Sequence, residues 1–240
     1  MARFILEKRI SSCVVGTELL KKLEEYLLNN IPEMTSVSKE EIRDKYSLLI
    51  TDNFGTENLC SISEYPGPIF RDSTNRVSLG FDLYSPKIIC VSVKFSTERF
   101  GSCINIDCES QNARGFVVAI YDGIKRILEP YHNLNKLLYP HPTVDGFLWG
   151  IAIAIAWVPV LLLIAELTDR FSPYFYILTN FPLFVILFSY VIRKMKPYTS
   201  FESNRYFKIK KWTGWFFYGL LSFIIFGTLL FSLRKRLFGF

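Results

Sequence analysis

Chemistry-bearing residues are scarce in this chain. It has two histidines, His132 and His141, and neither belongs to a metal-ligand spacing, which leaves a histidine-built metal site without ligands. Its five cysteines, Cys13, Cys60, Cys90, Cys103 and Cys108, are odd in number and include no Cys-x-x-Cys pair. Most sit within apolar runs, a pattern of buried reduced thiols rather than of a disulfide framework or a zinc site. There is no phosphate-cradling glycine loop, no G-x-S-x-G elbow and no dinucleotide fingerprint, so the familiar hydrolase and nucleotide-dependent machineries lack their residues. The expectation is a protein that is not an enzyme and that carries no cofactor or metal. A secretory h-region is also missing, since MARFILEKRI carries charges within and after its short apolar stretch.

Charge of one sign is missing from the C-terminal part. Residues 1–145 hold 17 Lys+Arg against 19 Asp+Glu, a net of −2, whereas residues 146–240 hold 11 against 3, a net of +8. All of the chain's +6 therefore arises in the second part. The basic residues there flank apolar runs, so the overall basic charge does not indicate nucleic acid.

Those apolar runs set the expected organisation. Residues 146–168 read GFLWGIAIAIAWVPVLLLIAELT, 173–192 read PYFYILTNFPLFVILFSYVI, and 212–233 form a third uncharged stretch. Each reaches the ~20 residues needed to cross about 30 Å of hydrocarbon. Arg193, Lys194, Lys196, Arg205, Lys208, Lys210 and Lys211 between the second and third runs outnumber Arg170 between the first two, so the positive-inside rule puts that basic loop in the cytoplasm. The expectation is a multi-pass inner-membrane protein: a cytosolic domain over 1–142 and an all-α three-helix transmembrane region over 143–240, with the lipid bilayer as partner.

Before residue 142 the pattern is α+β. After an extended stretch, Arg3 to Ile10, the run Thr17 to Asn30 places Leu19, Leu20, Leu23, Leu27 and Leu28 at helical spacing, and Pro32 is expected to stop it. Ser38-Lys-Glu-Glu opens a short helix to Lys45 with a capping box. Tyr46–Thr51, Asn58–Tyr65, Arg76–Tyr84, Lys87–Phe95 and Ser102–Cys108 read as strands separated by turn residues, and Asn112–Leu128 as a helix with Phe116, Ile120, Ile124 and Ile127 on one stripe. Strands in succession with no helix between them predict an antiparallel meander, a curved sheet with helices packed over one face.

Candidate binding residues follow from charge and position. Arg71, Arg76, Arg99 and Arg114 flank strand turns and the start of the last helix, where guanidinium groups suit an anionic small molecule such as a nucleotide. Asp107 and Glu109, two apart on one strand face, with Asp82, are the carboxylates available for acid–base work. Gly146, Gly150 and Ala154 recur every four residues, a small-xxx-small helix-packing face. Glu166, Thr179, Asn180, Ser189, Ser222 and Thr228 are the polar side chains available to line a water-filled path.

In layout, a sensing domain joined to a few apolar helices resembles small bacterial antiviral-defence membrane effectors, whose helices oligomerise and permeabilise the membrane. The resemblance implies a homo-oligomeric channel or pore gated by a ligand- or protein-sensing cytosolic domain. The alternative is a membrane-tethered adaptor or assembly factor whose helices only anchor it.

Overall fold

The computed structural model describes residues 2–35, 37–84, 88–139, 190–193 and 195–216, together with scattered positions at 143–144, 146–147, 149–150, 153–154, 218–219, 222 and 226. Strand β1 (Ala2–Arg9) leads to a two-residue strand β2 (Val14–Val15), helix α1 (Thr17–Glu25), helix α2 (Ile31–Thr35) and helix α3 (Lys39–Lys45). Strands β3 (Tyr46–Asp52), β4 (Gly55–Leu59), β5 (Arg76–Leu83), β6 (Ile89–Ser96) and β7 (Cys103–Ser110) follow, then helix α4 (Ala113–Leu128) and, much later, strand β8 (Ser200–Phe201). Six of these strands build one antiparallel sheet in the order β1-β7-β6-β5-β3-β4. It is antiparallel as expected but not a meander, because β5 pairs with β3 rather than β4 and β1 joins the sheet beside β7.

Side chains of alternate residues decide which face is covered. Val77, Leu79, Phe81 and Leu83 of β5 and Ile89, Val91, Val93 and Phe95 of β6 are buried, with Leu19, Leu20, Leu23 and Leu27 and the inner residues of α4 in the same core. The intervening residues, among them Arg76, Ser78 and Asp82 of β5 and Cys90, Ser92 and Lys94 of β6, form the open face. Gly80 belongs to that face, and a Cβ there would run into the carbonyl of Val91, so the strands approach too closely for any side chain.

Three local expectations are refined. Pro32 does not stop the first helix: residues Tyr26–Asn30 widen into a π-helical turn, and the chain continues as α2 through the proline. A wider turn is one way for a helix to pass a residue that has no N–H to donate. The buried stripe of α4 is Ala113, Val117, Ile120, Ile124 and Leu128, rotated slightly from the expected one, with Phe116 and Ile127 at its margin. The strand expected over Asn58–Tyr65 instead occupies Gly55–Leu59, in a hairpin where the Asp52 carboxylate accepts from the N–H groups of Phe54 and Gly55 and Gly55 takes φ 156°. At α3 the expected cap forms, with the Ser38 hydroxyl accepting from the Glu41 N–H at 3.1 Å.

The expected all-α three-helix transmembrane region, and with it the multi-pass inner-membrane location, is corrected. Among the described residues no helix is long and apolar enough to cross a membrane. The 16-residue α4 extends about 24 Å at 1.5 Å per residue, short of ~30 Å of hydrocarbon, and it carries Arg114, Asp122, Lys125 and Arg126. The helical stretch 204–216 carries Arg205, Lys208, Lys210 and Lys211. Most of 146–168 and 173–192, and most of 212–233 beyond residue 219, lie outside the described residues.

The stretch expected as a free basic loop is built into the α+β domain. β8 pairs in parallel with β2, Val14 opposite Ser200 and Val15 opposite Phe201. The Ser200 N–H donates to the Cys13 carbonyl at 3.0 Å, the Glu202 N–H to Val15 at 2.9 Å, and the Phe70 N–H to Glu202 at 2.8 Å. Thr199, Ser200, Phe201 and Ser203 are all buried. Phe201 meets Phe70 edge-on at 5.7 Å between ring centres, and the Thr199 and Ser102 hydroxyls share a hydrogen bond of 3.1 Å. Tyr139 donates its hydroxyl between the carbonyls of Arg193 and Lys196, at 2.9 and 2.8 Å, closing the preceding helical turn.

Candidate ligand-binding seam

The docked segment leaves a cavity of about 430 Å³ along its seam with the domain. That is within the range that holds a drug-sized molecule. Val14, Leu134, Phe201 and Ile209 supply apolar wall, while Thr74, Thr97, Ser200 and Ser203 bring hydroxyls to it. Four cations line it, Arg71, Lys196, Arg205 and Lys210, against one carboxylate, Asp72.

Each charged group is positioned by a specific element. Arg71 follows the buried Phe70 and is already committed: its Nη1 lies 3.2 Å from Glu57 and 3.5 Å from Asp52. Asp72 is likewise occupied, its Oδ1 accepting the Arg205 N–H at 2.7 Å, which pins the start of the 204–216 helix to the domain. Lys196, Arg205 and Lys210 take part in none of the ion pairs found among the described residues. Lys196 is partly buried, and that burial pushes its ammonium below the usual lysine range. Lys210 lies over the Tyr206 ring at 6.0 Å. The positive charge available to a bound anion therefore comes from the docked segment, because the domain's own Arg71 is neutralised.

Asn133 and Asn135 form a polar cluster on the cavity wall. Asn133 caps the turn Leu134–Leu138 by accepting the Asn135 N–H at 2.9 Å, and the Ser12 hydroxyl donates to the same oxygen. Since a backbone N–H can only donate, this contact fixes which end of the Asn133 amide is oxygen. Its Nδ2 is then buried with no acceptor among the described residues. Asn135 reaches across the seam, donating from Nδ2 to the Pro197 carbonyl at 2.9 Å and to the Ser200 hydroxyl at 3.1 Å.

A smaller cavity, about 320 Å³, is lined by Arg9, Arg99, Lys136, Phe100, Tyr139 and Tyr198. Arg9 and Arg99 each stand 4.8 Å from the centre of the Phe100 ring.

The four arginines expected to bind an anion do not converge. Arg71 lines the seam, Arg99 lines the smaller cavity, Arg76 stands on the open sheet face, and Arg114 is exposed in the first turn of α4. The carboxylates are placed differently again. Asp82, Cys90 and Asp107 occupy one row across β5, β6 and β7. Arg3 holds Asp107 through Nε at 3.0 Å and Nη2 at 2.5 Å. Partial burial, then Asp82, push the Cys90 thiol above its ordinary range, the opposite of what a thiolate nucleophile needs. Cys13, beneath β8, is pushed up to about 12 by burial.

Of the remaining candidates, Gly146, Gly150 and Ala154 are helical, and among the described residues nothing lies within 4 Å of a Cβ built on either glycine. Ser222 is helical and exposed. Glu166, Thr179, Asn180, Ser189 and Thr228 lie outside the described residues.

The residues that matter here and were not anticipated are Lys196, Arg205 and Lys210, read from sequence only as topology charges. The available signal was the polar run PYTSFES at 197–203, too rich in hydroxyls and aromatics for a plain solvated loop. Comparison with known proteins supplies no relative: no family model, curated protein or solved structure matches this chain.

Proposed function

We propose that this protein is a ligand-responsive regulatory module, whose α+β domain and 195–210 segment together bind an amphiphilic anion. The observation that carries this is the division of the seam's charge. The segment supplies three cations that take part in no ion pair among the described residues. It is held to the domain by a two-residue strand pair, the Phe201–Phe70 contact and a few hydrogen bonds rather than by a long ladder. A molecule bound there interacts with the docked arrangement and loses those contacts when the segment leaves, so ligand and docking stabilise one another. The mix of apolar wall, hydroxyls and lysines suits a phosphate or carboxylate attached to an apolar or aromatic body.

This reading keeps the sensing half of the expected gated pore. The pore half required membrane-crossing helices, which the described residues do not supply, and no catalytic step is part of the proposal.

The test is calorimetric titration of the full chain with ATP, oleate and inorganic pyrophosphate, beside a Lys196→Glu/Lys210→Glu variant. The expected outcome is that an anion with an apolar body binds more tightly than pyrophosphate and that the variant loses it. The reading fails if nothing binds more tightly than about 1 mM, or if the variant binds equally well.

A further inference from the structure

The sheet has two free edges among the described residues, β1 and β4, and they differ in what they offer. β4 is five residues long, and its one charged residue, Glu57, is paired with Arg71. β1 is eight residues long and pairs with β7 on one side only, from Ala2 opposite Ser110 to Arg9 opposite Cys103. A long strand with one unpaired row of backbone groups is a template for another strand.

Which backbone groups are free follows from the ladder. The Ile10 N–H donates to the Ser102 carbonyl at 3.0 Å, in register with the Arg9–Cys103 pair. Hydrogen-bonded residues alternate in an antiparallel pair, so the even residues of β1 bond to β7 and the odd ones, Arg3, Ile5, Glu7 and Arg9, aim their N–H and C=O outward. Those same residues put their side chains on the open face. Ile5 is 57% exposed, a large apolar side chain in the middle of a charged strand.

We infer that β1 pairs with β1 of a second copy of this chain, antiparallel about a two-fold axis at Ile5. This goes beyond the ligand reading and does not depend on it. Centred on Ile5, the arrangement puts Arg3 opposite Glu7 of the partner subunit, and Glu7 opposite the partner's Arg3. Ile5 covers the partner's Ile5, and about six outward backbone hydrogen bonds form across the three pairs. Arg3 uses Nε and Nη2 on Asp107, which leaves Nη1 for the incoming carboxylate. The charge pattern selects this register. A two-fold axis at Leu6 would set Arg3 against an arginine at position 9, one at Glu7 would oppose two glutamates, and one at Glu57 of β4 would do the same. The interface is isologous and closed, joining two six-stranded sheets into one.

Sedimentation velocity of the full chain over a concentration series tests this. The wild-type chain is expected to dimerise. Glu7→Arg and Arg3→Glu, each placing like charges opposite one another, are expected to weaken the dimer by about tenfold or more. A one-to-one mixture of the two variants sets every position 3 against an opposite charge at position 7 and is expected to recover the wild-type association. Ile5→Pro removes an N–H that only the outer edge uses, so the fold should survive while the dimer is lost. A wild-type chain that stays monomeric, a dimer indifferent to Glu7→Arg and Ile5→Pro, or a mixture no better than its components would overturn the inference. Circular dichroism of each variant separates loss of pairing from loss of fold.

Discussion

Replacing Phe201 by alanine tests whether the basic segment is structurally part of the domain. The side chain is 5% exposed and packs edge-on against Phe70, itself 2% exposed. Truncating a buried phenylalanine costs about 3–5 kcal/mol, which includes about 0.5–1.5 kcal/mol for an edge-to-face aromatic pair. The backbone bonds of Ser200, Glu202 and Arg205 hold the segment independently of that ring, but each contributes only about 1 kcal/mol net. A loss of about 3 kcal/mol therefore removes most of the segment's local attachment. Hydrogen exchange is the assay, because it separates opening of the segment from opening of the sheet. The amides of Ser200 and Glu202 should exchange about a hundredfold faster in Phe201→Ala, while those of Val91 and Val93 in the sheet centre change much less. Equal acceleration at both places would mean that the segment does not open separately. No acceleration at either would mean that Phe201 is not buried against Phe70 in solution.

Tyr46→Phe should stabilise the protein, by about 1 kcal/mol in urea unfolding, because the Tyr46 hydroxyl is buried with no hydrogen-bond partner among the described residues and phenylalanine removes that cost without leaving a hole. Gly80→Ala should destabilise by about 2 kcal/mol in the same assay, since the added Cβ meets the Val91 carbonyl and backbone cannot step aside. Lys196 gives a pH prediction. Its folded pKa is lowered, so between that value and 10.5 the unfolded chain binds more protons, and stability rises with pH across this window. An anion beside Lys196 reverses the burial effect. Ligand binding within that window should therefore take up protons, read as a dependence of the calorimetric heat on buffer ionisation enthalpy, and Lys196→Met should abolish the uptake.

The α+β domain was legible because its signals are local. Alternating apolar residues in β5 and β6 and the leucine spacing of α1 each report a face directly. The antiparallel pairing followed from strands with no helices between them, but the order did not, since β4 folds back on β3 at the sheet edge and β5 takes the other side of β3. Pro32 misled because the rule that proline ends a helix assumes ideal α geometry, and a π turn relaxes it. The seam was illegible for a different reason. Val14–Val15 and Ser200–Phe201 are two-residue strands about 185 positions apart, and neither has a period long enough to detect. The arginines were judged singly, whereas their roles depend on neighbours far along the chain: Arg71 is spent on Glu57, and Arg76 faces away on the open sheet.

The charge asymmetry between the two parts of the sequence acquires a structural meaning at Asp72. A domain carrying a net −2 receives a segment rich in lysine and arginine, yet the contact joining them is not an ion pair. Asp72 accepts a backbone N–H of Arg205, and among the described residues the Arg205 guanidinium takes part in no ion pair. The docking contacts themselves are apolar and hydrogen-bonded, formed by Phe201, Thr199, Ser200 and Asn135. Docking should consequently be insensitive to salt, while anion binding by Lys196, Arg205 and Lys210 should weaken as salt screens it. Raising sodium chloride to 1 M, where the screening length falls to about 3 Å, should leave exchange at Ser200 unchanged and lower anion affinity several-fold. If Ser200 exchange instead accelerates with salt, the segment is held by charge, and the lysines are structural rather than ligand-binding.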